Sequence, residues 1–130
     1  MQRGPDRTRI AAVAFGAAMV VASLVPGSGV STPGFALLGI VGLDKVAHAG
    51  GFLVLTVLSL ASLDHRWGII AVVVGLGALG GGIEVAQTTI PGRTFERADF
   101  LADLVGVVAG LAVHRWLEPA RGWILGTKPL

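Results

Sequence analysis

Residues 83–110 read IEVAQTTIPGRTFERADFLADLVGVVAG, which is two long apolar runs joined by a polar turn. The first run carries Glu84 and Gln87, the turn occupies residues 91–93, and the second run begins at Asp99. Ionisable groups so close to membrane-length segments are costly to bury and need an explanation. This stretch therefore predicts two neighbouring membrane helices with a polar site near one end.

The composition supports a membrane protein. The chain has 130 residues, of which 53% are hydrophobic and 14% charged, and its mean hydropathy is +0.77. A soluble domain carries about 25% charged residues, so this chain has too little polar surface to cover a water-exposed fold. Its 20 glycines show no collagen-like period and suit membrane helices, where small residues let backbones approach closely.

Two classes of function are excluded by charge and cysteine content. The sequence pI near 9.9 rests on a formal net charge of only +2, and no basic stripe is interleaved with aromatic residues. We therefore exclude nucleic-acid binding. The chain has no cysteine, which excludes disulfides and thiolate metal sites.

The apolar segments predict an all-α fold of four transmembrane helices in an antiparallel bundle. The predicted spans are residues 8–26, 46–62, 68–90 and 99–117, within a single membrane domain. The first span follows a basic start, as in a signal peptide, but Ala22-Ser23-Leu24 is a poor cleavage site, so we interpret it as a retained helix.

The connections are assigned from their length and turn residues. Residues 27–45 are predicted to form an external loop, in which the apolar segment 35–43 is too short to span a bilayer and is placed at the interface. Residues 118–130 are predicted to form a cytoplasmic tail. Because residues 91–98 form a short loop, we expect the third and fourth spans to pack as antiparallel neighbours.

The basic residues predict the orientation. In a four-span topology one side holds three of them, Lys45, Arg93 and Arg97. The other side holds seven: Arg3, Arg7, Arg9, Arg66, Arg115, Arg121 and Lys128. The positive-inside rule then places both termini in the cytoplasm of a multi-pass cell-membrane protein.

The polar residues of three spans fall at the predicted external face. We interpret seven of them as candidate ligand-binding side chains: Lys45, His48, Glu84, Gln87, Arg93, Asp99 and Asp103. With Asp44 included, the charged members sum to −2, so a cation, a further basic group or a bound proton is expected to offset the excess. Five more residues receive structural or capping roles: Asp44, Pro91, Gly92, Gly106 and Gly110.

Each of these residues also has a purely structural interpretation. The charged residues could form an ion-pair network that locks the third span to the fourth, and Asp44 could be a helix N-cap. Asp103 lies on the same predicted helix face as the two glycines, which suit helix packing. Imidazole with carboxylates suits several divalent ions, so His48, Glu84 and Asp103 could supply metal ligands. Their spacing has no specific metal signature, and we assign no metal and no cofactor.

Two separated motifs resemble the VanZ-like family of small integral membrane proteins. The first is D-K-x-x-H at residues 44–48. The second combines E-x-x-Q at 84–87, P-x-R at 91–93, an Asp at 99 and G-x-x-x-G at 106–110. The resemblance covers the second to fourth spans, and the family is named for a protein that gives low-level resistance to the glycopeptide teicoplanin.

The chain departs from the family pattern at two places. The family commonly has Asn four residues after the second-motif Asp, where this chain has Asp103, an additional ionisable group. It also often has an aromatic residue shortly after the motif His, where this chain has Gly50 and Gly51 before Phe52.

Three functions fit the residues, and we favour the first. It is an external-face binding protein for the headgroup of an envelope lipid or lipid-linked precursor, with Lys45 and Arg93 on its anionic part. The second is a membrane enzyme acting on a lipid phosphate or glycan, with His48 as base or metal ligand and Glu84 or Asp103 as acid. The third is a structural subunit of a homo-oligomer or larger membrane complex. The residues define no reaction, so we favour binding over catalysis.

Overall fold

The computed structural model describes residues 7–25, 42–63 and 66–124, and over these residues the chain is helical with short turns. Four helices follow in order: α1 (Arg7–Leu24), α2 (Leu43–Ala61), α3 (Arg66–Gln87) and α4 (Arg97–Ile124). Each contains an apolar stretch long enough to cross a membrane. The prediction of an all-α fold with four membrane-length helices is therefore confirmed.

The helix bounds differ from the predicted spans mainly at their ends. Helix α4 continues past residue 117 to Ile124, so the first part of the predicted tail is helical. Helix α3 ends at Gln87, and residues 88–92 form turns. The predicted interfacial segment 35–43 lies outside the described residues except for its last two positions.

The most extensive helix contact in the described bundle is between α2 and α4, which run parallel. Two glycines on α4 allow its backbone to approach that of α2 closely. A Cβ atom on Gly106 would collide with the carbonyl oxygen of Ala49, and one on Gly110 would lie 2.7 Å from the carbonyl oxygen of Leu53. Small residues spaced by four let two membrane helices approach to backbone contact, which gives this pair its proximity.

Helices α3 and α4 also pack together, in the antiparallel sense expected from their short connection. Positions 77 and 81 of α3 are glycines that face Leu104 and Phe100 of α4 respectively. The contact between α3 and α4 is less extensive than the contact between α2 and α4, where Gly106 lets the two backbones approach most closely.

The apolar core lies among α2, α3 and α4. Its buried members are Phe52, Leu55, Leu60, Val72, Leu76, Ile83 and Val107. Helix α1 is peripheral: Ala12 is its buried residue, while Ile10, Val13 and Val21 are more than half exposed. A helix that is apolar on its exposed face as well as its packed face suits a lipid environment.

Polar side chains concentrate where α1 and α3 finish and α2 and α4 begin, which we call the polar end. At the opposite end, the Arg9 Nε donates a hydrogen bond of 3.2 Å to the carbonyl oxygen of Ser62, which follows α2. This places a cation on the carbonyl groups at a helix C-terminus, where it is electrostatically favoured.

Candidate functional site

Lys45, in the first turn of α2, is surrounded by carboxylates. Its Nζ donates to Asp99 Oδ1 at 2.6 Å, to Asp44 Oδ2 at 2.8 Å and to Glu96 Oε2 at 3.3 Å. These four residues form what we call the lysine cluster. An ammonium has three donors, so the cluster uses the full hydrogen-bonding capacity of Lys45. The cluster ties α2 to the start of α4 and to the residue just before it.

Asp44 does not lie at the position expected of an N-cap. Helix α2 begins at Leu43 with Gly42 in the N-cap position, and no side chain caps it. The backbone N–H groups of Lys45 and Val46 donate to the carbonyl oxygen of Gly42 at 3.1 and 3.3 Å, which starts the helix before Asp44. Asp44 is instead an acidic residue of the first turn, where the helix dipole favours a negative charge.

A second group lies one helical turn further into the bundle and comprises His48, Glu84 and Asp103. We call it the deep cluster. His48 Nδ1 lies 2.8 Å from Asp103 Oδ1, and the Glu84 and Asp103 residues are both 0% exposed. Glu84 Oε2 accepts a hydrogen bond of 3.0 Å from the backbone N–H of Glu96. Three helices thus bring an imidazole and two carboxylates together in the bundle interior.

Each buried carboxylate of the deep cluster has one oxygen without a hydrogen-bond partner among the described residues. These atoms are Glu84 Oε1 and Asp103 Oδ2. Buried polar atoms are almost always hydrogen-bonded, because leaving one unsatisfied costs about 1–3 kcal/mol, and more when it is charged. Two such oxygens in one small cluster point to a group that they bind.

Gly80 on α3 makes room for the deep cluster. A Cβ at this position would lie 2.8 Å from Asp103 Oδ2 and 3.2 Å from Asp103 Cβ. The absence of a side chain therefore lets the carboxylate of Asp103 fit between α3 and α4. Sequence reasoning assigned the α3 glycines to helix packing and did not connect any of them with the site.

Gln87 and Arg93 each donate a hydrogen bond to the end of α1. Gln87 Nε2 and Arg93 Nη1 both donate to the carbonyl oxygen of Ser23, at 3.0 and 2.8 Å. The last carbonyl groups of a helix lack intrahelical partners, so these two side chains cap α1. They connect α1 to the end of α3 and to the turn that follows it.

The structure brings five of the seven predicted ligand-binding residues together where α2, α3 and α4 meet. They are Lys45, His48, Glu84, Asp99 and Asp103. Asp99 lies between the two clusters, since its Oδ1 contacts Lys45 and its Oδ2 is 4.0 Å from His48 Nε2. Pro91 and Gly92 form the turn after α3, and Gly92 has a φ of 84°, which favours glycine.

Sequence reasoning missed Glu96, which contributes to both clusters through its side chain and its backbone N–H. The available signal was its place immediately before the fourth helix and three residues before Asp99. The role of the Ser23 carbonyl oxygen as an acceptor could not be predicted from the sequence, because every residue supplies a backbone oxygen.

Comparison of the chain with protein-family models, with curated proteins and with solved structures finds no match. Over the residues that the structure describes, the protein is helical with four helices suited to crossing a membrane, and it carries an acid-rich polar site at one end of the bundle.

Proposed function

We propose that this chain is a VanZ-like protein of the cell membrane that binds the headgroup of an envelope lipid at the polar end, on the external side. The observation that carries the proposal is the lysine cluster. Its Asp44 and Glu96 side chains are 38% and 57% exposed, so they remain reachable while they hold Lys45. A charged rim at the end of an apolar bundle is suited to meet lipid headgroups.

The charge of the cluster indicates which part of a headgroup it would contact. Three carboxylates surround a single ammonium, and all three hydrogen bonds of Lys45 go to them. Arg93 is engaged with the end of α1. We therefore assign recognition to the outward carboxylate oxygens of Asp44 and Glu96, which would accept hydrogen bonds from an ammonium group. A phospholipid amine and an amino sugar on a lipid-linked precursor share this chemistry.

Lipid titration followed by native mass spectrometry tests the proposal. The delipidated protein is mixed with phosphatidylethanolamine, whose headgroup carries an ammonium group, or with phosphatidylglycerol, whose headgroup carries hydroxyl groups in its place. We expect retention of phosphatidylethanolamine to exceed that of phosphatidylglycerol. Glu96→Gln, at a largely exposed position, is expected to reduce this preference about tenfold, as loss of one charge-assisted hydrogen bond of about 1.5 kcal/mol would.

Arg97→Gln is the matched control, because Arg97 is an exposed charged residue next to Glu96 in sequence. This variant should keep the preference for the ammonium-bearing lipid. Equal retention of the two lipids by the wild type would overturn the proposal. If Glu96→Gln kept the lipid preference of the wild type, the lysine cluster would not be the headgroup-binding site.

A second candidate function, hydrolysis of a lipid phosphate or glycan, is favoured by one observation. His48 Nδ1 lies 2.8 Å from Asp103 Oδ1, and a carboxylate placed in this way orients an imidazole as a general base. Hydrolysis would release phosphate or sugar from the lipid with a rate that depends on pH. We expect His48→Gln to abolish that release and Arg97→Gln to retain it, and the absence of any release by the wild type would discard this candidate.

A further inference from the structure

We propose that the deep cluster is a binding site for a divalent transition-metal ion, because it joins His48, Glu84 and Asp103 around two buried carboxylate oxygens that lack hydrogen-bond partners among the described residues. The inference goes beyond headgroup binding and is independent of it. It rests on the geometry of three side chains that come from three different helices.

The distances within the deep cluster suit chelation. One ligand atom from each of the three residues lies within 4.8 Å of the others. Nitrogen and oxygen ligands bind Zn²⁺ at about 2.0–2.2 Å, which separates neighbouring ligand atoms by roughly 3.4 Å in a tetrahedral site. The three ligand atoms would therefore have to move closer together by about 1 Å or more to surround an ion.

The lysine cluster provides an internal comparison. Asp44, Glu96 and Asp99 also offer three ligand atoms within 4.8 Å of one another, and there the Lys45 ammonium lies among them. In the lysine cluster, carboxylates that lie close together are thus held by a cation. The salt bridges among the described residues join Asp103 to His48 and join neither Glu84 nor Asp103 to a lysine or arginine.

The two unpartnered oxygens suit a divalent ion. An ion between Glu84 Oε1 and Asp103 Oδ2 would accept electron pairs from both oxygens and offset the charges of both carboxylates. A proton shared between the two oxygens would also satisfy both but would offset only one of the two charges, and the metal titration distinguishes the two cases.

The ligand types indicate the class of ion. An imidazole with two carboxylates suits Zn²⁺, Mn²⁺ or Fe²⁺, whereas Mg²⁺ and Ca²⁺ prefer oxygen ligands alone. Three protein ligands leave at least one coordination position for water or a bound group.

The test is metal binding by the full-length protein in detergent, after removal of metal with EDTA. Zn²⁺ is titrated by calorimetry, and metal content is measured after desalting. We expect about one ion per chain in the wild type. Glu84→Gln and Asp103→Asn preserve side-chain volume and are expected to weaken Zn²⁺ binding by about 100-fold or more. Asp44→Asn is the control in the lysine cluster and should bind Zn²⁺ as the wild type does.

Co²⁺ substitution in the wild type keeps the inference testable if a variant does not fold. A visible absorption band of Co²⁺ that Zn²⁺ abolishes supports a defined site of nitrogen and oxygen ligands. Folded wild type that retains no Zn²⁺ and shows no such band would overturn the proposal. Equal Zn²⁺ binding by folded Glu84→Gln, Asp103→Asn and wild-type protein would also overturn it, because the ion would then lie elsewhere.

Discussion

His48 Nδ1 on α2 lies 2.8 Å from Asp103 Oδ1 on α4, one helical turn further into the bundle than the 2.6 Å contact between Lys45 and Asp99. The two contacts repeat because α2 and α4 run parallel, so one turn along each helix brings the next pair into register. The polar pairs and the glycines Gly106 and Gly110 thus lie along one interface between the same two helices.

The first prediction concerns the contact between His48 and Asp103. His48→Ala removes the partner of a fully buried carboxylate, and breaking a buried pair costs about 3–5 kcal/mol. We expect a loss of this size in the free energy of unfolding, measured by reversible denaturation in mixed micelles. Asp103→Asn keeps an acceptor for the imidazole and is expected to cost only about 1 kcal/mol. Equal losses in the two variants would contradict this account.

The second prediction concerns the parallel contact of α2 with α4. Gly106→Ala would place a methyl group against the Ala49 carbonyl and is expected to lower the free energy of unfolding by about 1–3 kcal/mol. Gly75→Ala is the matched control, since a Cβ there meets nothing within 4 Å. It should leave stability unchanged or raise it by about 1 kcal/mol through helix propensity. Similar effects at both glycines would refute the packing role of Gly106.

The third prediction tests whether the missing side chain at Gly80 provides the space that the deep cluster needs. Gly80→Ala would displace the Asp103 carboxylate, since the added Cβ would lie 2.8 Å from its Oδ2. We expect Zn²⁺ binding at the deep cluster to weaken about tenfold or more, although residue 80 supplies no ligand. Gly82→Ala, where a Cβ meets nothing within 4 Å, should bind Zn²⁺ normally. Calorimetry on the two variants provides the measurement.

The fourth prediction concerns the attachment of α1. Arg93→Gln shortens a side chain whose Nη1 donates to the Ser23 carbonyl at 2.8 Å. Loss of one hydrogen bond from a charged donor, about 1.5 kcal/mol, is expected to raise amide hydrogen exchange near residues 21–25 about tenfold. Arg97→Gln should leave exchange in this segment unchanged. Increased exchange throughout α2 and α4 would instead show that Arg93 stabilises the whole bundle.

The fifth prediction concerns orientation, which the proposed function requires. The chain has no cysteine, so a single introduced cysteine reports its own side of the membrane. Thr88→Cys, an exposed position at the polar end, is expected to react with a membrane-impermeant maleimide in intact cells. Arg115→Cys, exposed near the other end, should react only after permeabilisation. The reverse pattern would place the polar end in the cytoplasm and remove the external headgroup from the proposal.

Most of the polar side chains at the site were found from the sequence, because ionisable residues stand out in apolar runs. Lys45, His48, Glu84, Asp99 and Asp103 were visible in this way, and helix periodicity placed Asp103 on the face of the two glycines. Their partners were not visible. Only the parallel approach of α2 and α4 pairs Lys45 with Asp99 and His48 with Asp103.

The sequence by itself determined that the chain forms four apolar helices and that its charges gather near the ends of three of them, since hydropathy and helix periodicity are local properties. The tertiary structure alone decided that Glu96 joins the lysine cluster, that Gln87 and Arg93 cap α1, and that Gly80 accommodates Asp103. These features depend on which helix faces meet. That outcome is set by the close approach at Gly106 and Gly110. The sequence marks these two glycines as suited to helix packing but does not specify which helix they meet.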